Sequence, residues 1–177
     1  MTARQDELIA LAESLIEEQG LESFSLGNLA RRASIRPPSL YKHFSSLTAL
    51  EHIIISRAFT RLAGDLNHAA KTAKSNENKN TIAELAAVYR AHAHAQPQLY
   101  RLMTERPLDR ALLAPGSEQS AMEALLRYFD ESPERHDRAR AAWAAAHGLV
   151  SLELTGRFPP GTDTTGAWNV FVTAFSY

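Results

Sequence analysis

The chain has 177 residues, 45% hydrophobic and 22% charged, with 19 Lys+Arg against 20 Asp+Glu and no cysteine. These are the figures of an ordinary globular chain, long enough to bury a core without covalent staples. The lack of cysteine excludes disulfides, thiolate nucleophiles, iron–sulfur clusters and Cys-based zinc sites, and makes a reducing cytoplasm the expected compartment. No stretch reaches the ~18 apolar residues of a membrane span, and the acidic start is unlike a signal peptide. Charge is nonetheless unevenly spread: residues 1–24 carry −5, residues 25–50 carry +4 with no acid, and residues 51–177 carry 0. A neutral protein with one short cationic window is not a general polyanion binder, yet that window can meet phosphate and release its counterions.

The helical period runs from end to end. Leu8, Leu11, Ala12, Leu15 and Ile16 predict a first helix that Gly20 stops. Ser25 reads as the N-cap of a short helix with Leu26, Leu29, Ala30 and Ala33 inward, followed by the turn Ser34-Ile35-Arg36. Pro37-Pro38 suits a first helical turn, and a brief helix is expected from Pro38 to about Phe44. Ser45-Ser46 cap a longer fourth helix with Leu47, Leu50, Ile54 and Ala58 inward. The polar tract Lys71–Asn80 reads as a loop. Further helices are expected near 81–95, 97–105, 116–130 and 134–157, ended by Phe158-Pro159-Pro160-Gly161, with a last one carrying Trp168, Phe171, Val172 and Phe175. No alternating strand pattern or repeat appears, so the expected fold is all-α with about nine helices.

Two short helices joined by a tight turn, the second entering with cationic and small polar residues, have helix-turn-helix geometry. Leu29, Ala30 and Leu40 would fix the pair across each other, leaving Pro37, Pro38, Ser39, Lys42 and His43 facing a major groove. Tyr41 beside Lys42 could clamp a phosphate, and the free N–H groups near Ser25 suit another. Arg36, at the entry to the second helix, joins the DNA-contacting set.

The stretch Gln5–Arg61 resembles the DNA-binding domain of the TetR (tetracycline repressor) family of bacterial regulators, most specifically in Leu40-Tyr41-Lys42-His43-Phe44 followed by a Ser-capped helix. The resemblance implies a homodimeric, all-helical repressor whose larger C-terminal domain binds a small molecule and releases the operator. By position it makes Ser25 and Tyr41 phosphate contacts and Pro37, Pro38, Ser39, Lys42 and His43 the recognition face. Two positions depart from the family pattern. Ser34 stands where the turn commonly has Gly, implying altered turn geometry or a left-handed serine, and Leu47 replaces a common phosphate-contacting charge. Farther on, Ala142-Trp143 through His147-Gly148 to Phe158 is similar to the Trp-His-Gly helix of one branch of the family's C-terminal domains. Trp143, His147, Val150 and Leu154 form one stripe there, and the alanines and Gly148 permit the close approach of a dimer-forming four-helix bundle.

Tyr89, His92, Tyr100, Met103, Met122, Trp143 and His147 are candidate lining for an effector cavity, with plain core packing as the alternative for each. His92 and His94, at i and i+2, point to different sides of a helix, and no metal or cofactor is expected. Glu153, among Leu149, Val150, Leu152 and Leu154, needs a partner if buried: Arg157 at i+4, a group across a dimer interface, or a ligand. No nucleophile elbow, phosphate loop, dinucleotide fingerprint or His-Glu-x-x-His appears, so no enzymatic activity is expected.

The expected organisation is a DNA-binding domain at 1–46 and an effector-binding and dimerisation domain at 47–177. The expected function is repression at a palindromic double-stranded DNA operator, released when an unknown small molecule tilts the fourth helix. The alternative is an effector-independent DNA-binding protein whose C-terminal domain recruits a protein partner.

Overall fold

The computed structural model describes residues 2–74, 80–129 and 131–176. Among the described residues it contains nine α-helices and two single turns of 3₁₀ helix, with no strand: α1 (Ala3–Gln19), α2 (Leu26–Arg32), α3 (Pro37–Leu40), α4 (Leu47–Lys74), α5 (Thr81–Ala95), α6 (Pro97–Glu105), α7 (Ser117–Leu126), α8 (Arg135–Leu154) and α9 (Thr165–Phe175). The chain forms two compact units, one of Met1–Phe59 with Gln96–Ser117, the other of Thr60–Ala95 with Glu118–Tyr177. The 28-residue α4 begins in the first and ends in the second.

In the first unit α1 buries Leu8, Ile9, Ala12, Leu15 and Ile16 on one stripe. Its start is closed by a reciprocal capping box: Thr2 Oγ1 accepts from Gln5 N–H (3.2 Å), and Gln5 Oε1 accepts from Thr2 N–H (2.9 Å). Gly20 ends the helix as expected, at φ +83°, and an unanticipated 3₁₀ turn, Leu21–Ser23, follows. Ser25 caps α2 by accepting from Asn28 N–H at 3.2 Å. The exit from α2 explains Ser34. Ile35 N–H reaches Ala30 C=O (3.0 Å) and Ser34 N–H reaches Arg31 C=O (3.2 Å), the paired bonds of a Schellman motif. That motif requires a left-handed residue, and Ser34 adopts it at φ +54°. Leu29, Ala30 and Leu40 are buried between α2 and α3, as expected, whereas Leu26 and Ala33 are only half-buried.

The third helix is shorter than its sequence suggests: regular α structure covers Pro37–Leu40, and His43 and Phe44 fold back by donating together to Leu40 C=O (2.8 and 2.9 Å). Ser46 Oγ accepts from Ala49 N–H at 3.0 Å and caps α4. Also in this unit, α6 packs on α1, and Leu99 N–H donates to Glu17 at 2.7 Å. The segment after α6 is fastened to α4 by two buried polar side chains: His52 Nε2 accepts from Asp109 N–H (2.9 Å) and Ser56 Oγ from Ala114 N–H (2.9 Å).

In the second unit α5, α8 and α9 pack pairwise. The helices near 81–95 and 97–105 fall where the prolines and periodicity put them. Three boundaries differ. Lys71–Lys74 continue α4, because Ala69 and Ala73 keep the buried period despite the polar composition; the rest of the expected loop, 75–79, lies outside the described residues. α7 stops at Leu126 instead of 130, its terminal carbonyl taken by Arg135 Nε at 2.8 Å. α8 stops at Leu154 instead of 157, where Gly156 turns the chain at φ +64°.

Candidate nucleic-acid interface

α2, the Ser34 turn and α3 present the cationic window. Of its four charges, Arg31 is bonded to Asn28 Oδ1 (3.2 Å) and Arg32 to Glu18 (2.9 Å). Arg36 and Lys42 are exposed and, among the described residues, stand in no ion pair. Two unpaired cations thus flank α3, and each can meet a phosphate without first breaking a protein contact. Tyr41, 60% exposed, lies beside Lys42. Pro37 and Pro38 are exposed, Ser39 and His43 half-buried, and the His43 ring is tilted against buried Phe44 (6.2 Å between centroids). Ser25 uses its oxygen as acceptor for the cap, which leaves its O–H hydrogen to donate. Small or rigid side chains therefore lie along the outward side of α3, with longer polar ones at its ends, an arrangement able to rest on a duplex backbone while bringing short side chains to base edges.

A second polar constellation lies wholly within the C-terminal unit. The Glu153 carboxylate, 6% exposed, accepts from Arg90 Nε (3.0 Å) and His94 Nε2 (2.8 Å) on Oε2, and from Thr164 Oγ1 (2.7 Å) and Trp168 Nε1 (2.9 Å) on Oε1. Arg90 also reaches Thr164 Oγ1 (3.1 Å) and lies over the Trp168 ring, 5.7 Å from its centroid. Burial alone would raise this carboxyl; the hydrogen bonds from Thr164, His94, Trp168 and Arg90 outweigh it and hold it at about 2. Of the partners considered for Glu153, Arg157 is exposed and is not among these donors, which come from α5, α9 and Thr164 just before α9.

His92 turns away from this cluster toward Asp65, with Nδ1 at 3.4 Å, so His92 and His94 do serve different sides of α5. Burial holds His92 below its ordinary value despite the Asp65 carboxylate. Of the other cavity candidates, Tyr100 and Met103 are buried in α6 of the N-terminal unit, while Tyr89, Met122, Trp143 and His147 belong to the C-terminal unit. Trp143 and His147 stack, 6.1 Å apart at 25°. Trp143 is 45% exposed; the buried residues of α8 are Ala139, Ala142, Ala146 and Val150, of which Val150 belongs to the stripe expected through Trp143, His147 and Leu154.

Comparisons with known proteins agree with this geometry. Residues 8–50 match the model of bacterial regulatory proteins of the tetR family, and residues 82–175 match that of the tetracyclin repressor-like C-terminal domain. The HTH-type transcriptional repressor KstR2 of Mycolicibacterium smegmatis is 30% identical over 164 residues, 91% of this chain and 70% of the relative. Among solved structures, a protein of unknown function from Rhodococcus sp. RHA1 superposes with TM-score 0.79 at 25% identity, covering 100% of this chain and 97% of that one. BioQ with its double-stranded DNA operator superposes with TM-score 0.60 at 16% identity, covering 98% of both chains. The matched families and relatives are regulators rather than enzymes, and no helix among the described residues is long and apolar enough to cross a membrane. With its helix-turn-helix geometry and both family domains matched, the chain belongs to the TetR family of DNA-binding transcriptional regulators.

Proposed function

We propose that the chain is a cytoplasmic homodimeric repressor, with residues 1–46 making the DNA contacts and residues 47–177 carrying dimerisation and the effector site. The observation that carries the reading is the outward side of α3 and its two ends, where Arg36 and Lys42 stand in no ion pair among the described residues and Tyr41 is exposed beside Lys42. Arg36, Ser25, Tyr41 and Lys42 are assigned to phosphate, and Pro37, Pro38, Ser39 and His43, with Lys42 at the edge, to the groove. Two copies related by a two-fold axis would read a palindrome with half-sites about 34–36 Å apart. The relation to a DNA-bound regulator, BioQ, is consistent with this use of the fold.

Dimerisation is assigned to α8 and α9. Their outward sides carry Leu152 (42% exposed) and Val170 (69% exposed) among small residues, Ala144, Ala145 and Ala174, a composition that suits close helix packing. The effector is assigned to the C-terminal unit, with Tyr89, His92, Met122, Trp143 and His147 as its lining; Tyr100 and Met103, buried in α6 of the other unit, are assigned to its core. A small molecule releases the operator only if it binds the DNA-incompetent state more tightly, by a few kcal/mol.

The test is titration of a bound operator duplex with a panel of small molecules, followed by fluorescence anisotropy and sedimentation. Two protomers per duplex, released by at least one compound that binds the free protein, is the expected result. Bound compounds that leave DNA affinity unchanged would overturn the release mechanism and favour the rival reading, in which the exposed apolar side of α8 and α9 receives a protein partner.

A further inference from the structure

The recognition segment has little helix of its own. α3 spans four residues, two of them prolines without an N–H, and an isolated helix of that length does not hold itself together in water. Beyond Leu40 the chain turns, and both His43 and Phe44 N–H groups converge on the single carbonyl of Leu40. Phe44 is anchored by burial, at 2% exposed, but Lys42 and His43 precede that anchor on the turn itself. A hydrogen bond from outside fastens it: Gln5 Nε2, on the first turn of α1, donates to His43 C=O at 3.2 Å across 38 residues of sequence. The same amide's oxygen accepts from Thr2 N–H at 2.9 Å, so the two ends of one side chain are each committed. Thr2 Oγ1 in turn accepts from the backbone N–H of Gln5, a bond that closes the helix start and does not involve the amide that reaches His43.

We infer that Gln5 is a positioning residue for DNA recognition, setting the pose of Lys42 and His43 from the start of α1. The inference rests on α3 being the DNA-reading element. Gln5 need not touch DNA: it removes the rotational freedom of the turn that carries the two side chains, and discrimination between base pairs falls when that freedom returns. A hydrogen bond of this kind is worth roughly 2- to 10-fold in an equilibrium constant.

The two bonds of Gln5 separate by mutation. Thr2→Val weakens the capping box and leaves the donor to His43; Gln5→Met removes both bonds; Gln5→Lys restores a donor to His43 without the acceptor for Thr2. Each protein, full length, is used to select duplexes from a random-sequence library, and melting temperature and the salt dependence of binding are recorded beside the selected sequences. Gln5→Met is expected to lower the ratio of specific to non-specific affinity about 2- to 10-fold with an unchanged salt slope, the loss concentrated at one or two base positions per half-site. Thr2→Val should lower the melting temperature and keep wild-type preferences, and Gln5→Lys should recover them. Wild-type preferences in Gln5→Met, or an equal loss in Thr2→Val, would overturn the positioning role. A wild-type protein that selects no sequence would instead overturn the DNA-reading assignment of α3, and this inference with it.

Discussion

Replacing Glu153 by Gln should cost about 3 kcal/mol of stability at neutral pH, and the reason can be followed atom by atom. Both carboxylate oxygens already accept two hydrogen bonds each, Oε2 from Arg90 and His94, Oε1 from Thr164 and Trp168. An amide keeps one oxygen and sets an NH₂ group against donors whichever way it turns; the indole of Trp168 and the guanidinium of Arg90 have no acceptor to offer in exchange. The magnitude follows from the carboxyl's acidity. A group held at about 2 rather than 4.5 favours the folded state by about 3 kcal/mol when ionised in both states. Because the folded value is the lower one, that contribution is fully present above about 4.5 and is lost as pH falls toward 2. Urea unfolding of wild type and Glu153→Gln, at matched protein concentration to hold oligomer linkage constant, checks both statements. The gap should be about 3 kcal/mol at pH 7, about 6–12 °C in melting temperature for a chain of this size, and should narrow below pH 4.5. A gap under about 0.5 kcal/mol at pH 7, the range of ordinary surface substitutions, or one that ignores pH, would refute the reasoning.

Other outcomes follow from single contacts. Ser34→Gly should stabilise the chain by roughly 0.5–1 kcal/mol in urea, since the left-handed cost of a Cβ at φ +54° exceeds the added chain entropy of glycine; destabilisation would mean that the serine side chain contributes to the turn. His52→Ala should cost about 2 kcal/mol in the same assay by stripping Asp109 N–H of its acceptor and opening a void beside α4. Lys42→Ala should weaken DNA binding across sequences and reduce the slope of log affinity against log salt by about one; lost preference at one base pair with the slope intact would move Lys42 to a base edge. Val170→Glu should leave helix content and monomer stability unchanged but shift sedimentation from dimer to monomer, and an intact dimer would remove α9 from the interface.

What could be read from the sequence was local. Ser25 and Ser46 are caps because a hydroxyl reaches an N–H three residues on, and Pro97 opens α6 because a first turn needs no donor there. Thr2-x-x-Gln5 is an equally local capping-box signature, legible but passed over, and with it the contact to His43. Glu153 was recognisable as a residue in need of partners, but Arg90 and His94 lie 63 and 59 residues away, and nothing in the spacing of α8 selects them over Arg157. The end of α7 escaped for a related reason, since the Arg135 side chain that takes Leu126 C=O comes from the next helix. For Trp143 the spacing gives a stripe but not its burial: the ring is 45% exposed, while its neighbours Ala142 and Ala146 face inward. For Ser34 the sequence leaves altered turn geometry and a left-handed serine open, and the structure has the second: the turn keeps its paired bonds with Ser34 at φ +54°.

The central claim, that α3 reads a specific duplex as part of a symmetric dimer, is tested most directly by incubating the purified protein with sheared genomic DNA at physiological salt and sequencing what it retains. The expected result is enrichment of a near-palindromic site with half-sites one helical turn apart, about 10 base pairs, abolished by Lys42→Ala combined with Arg36→Ala. Uniform retention of genomic fragments, or an enriched site that survives both substitutions, would contradict it.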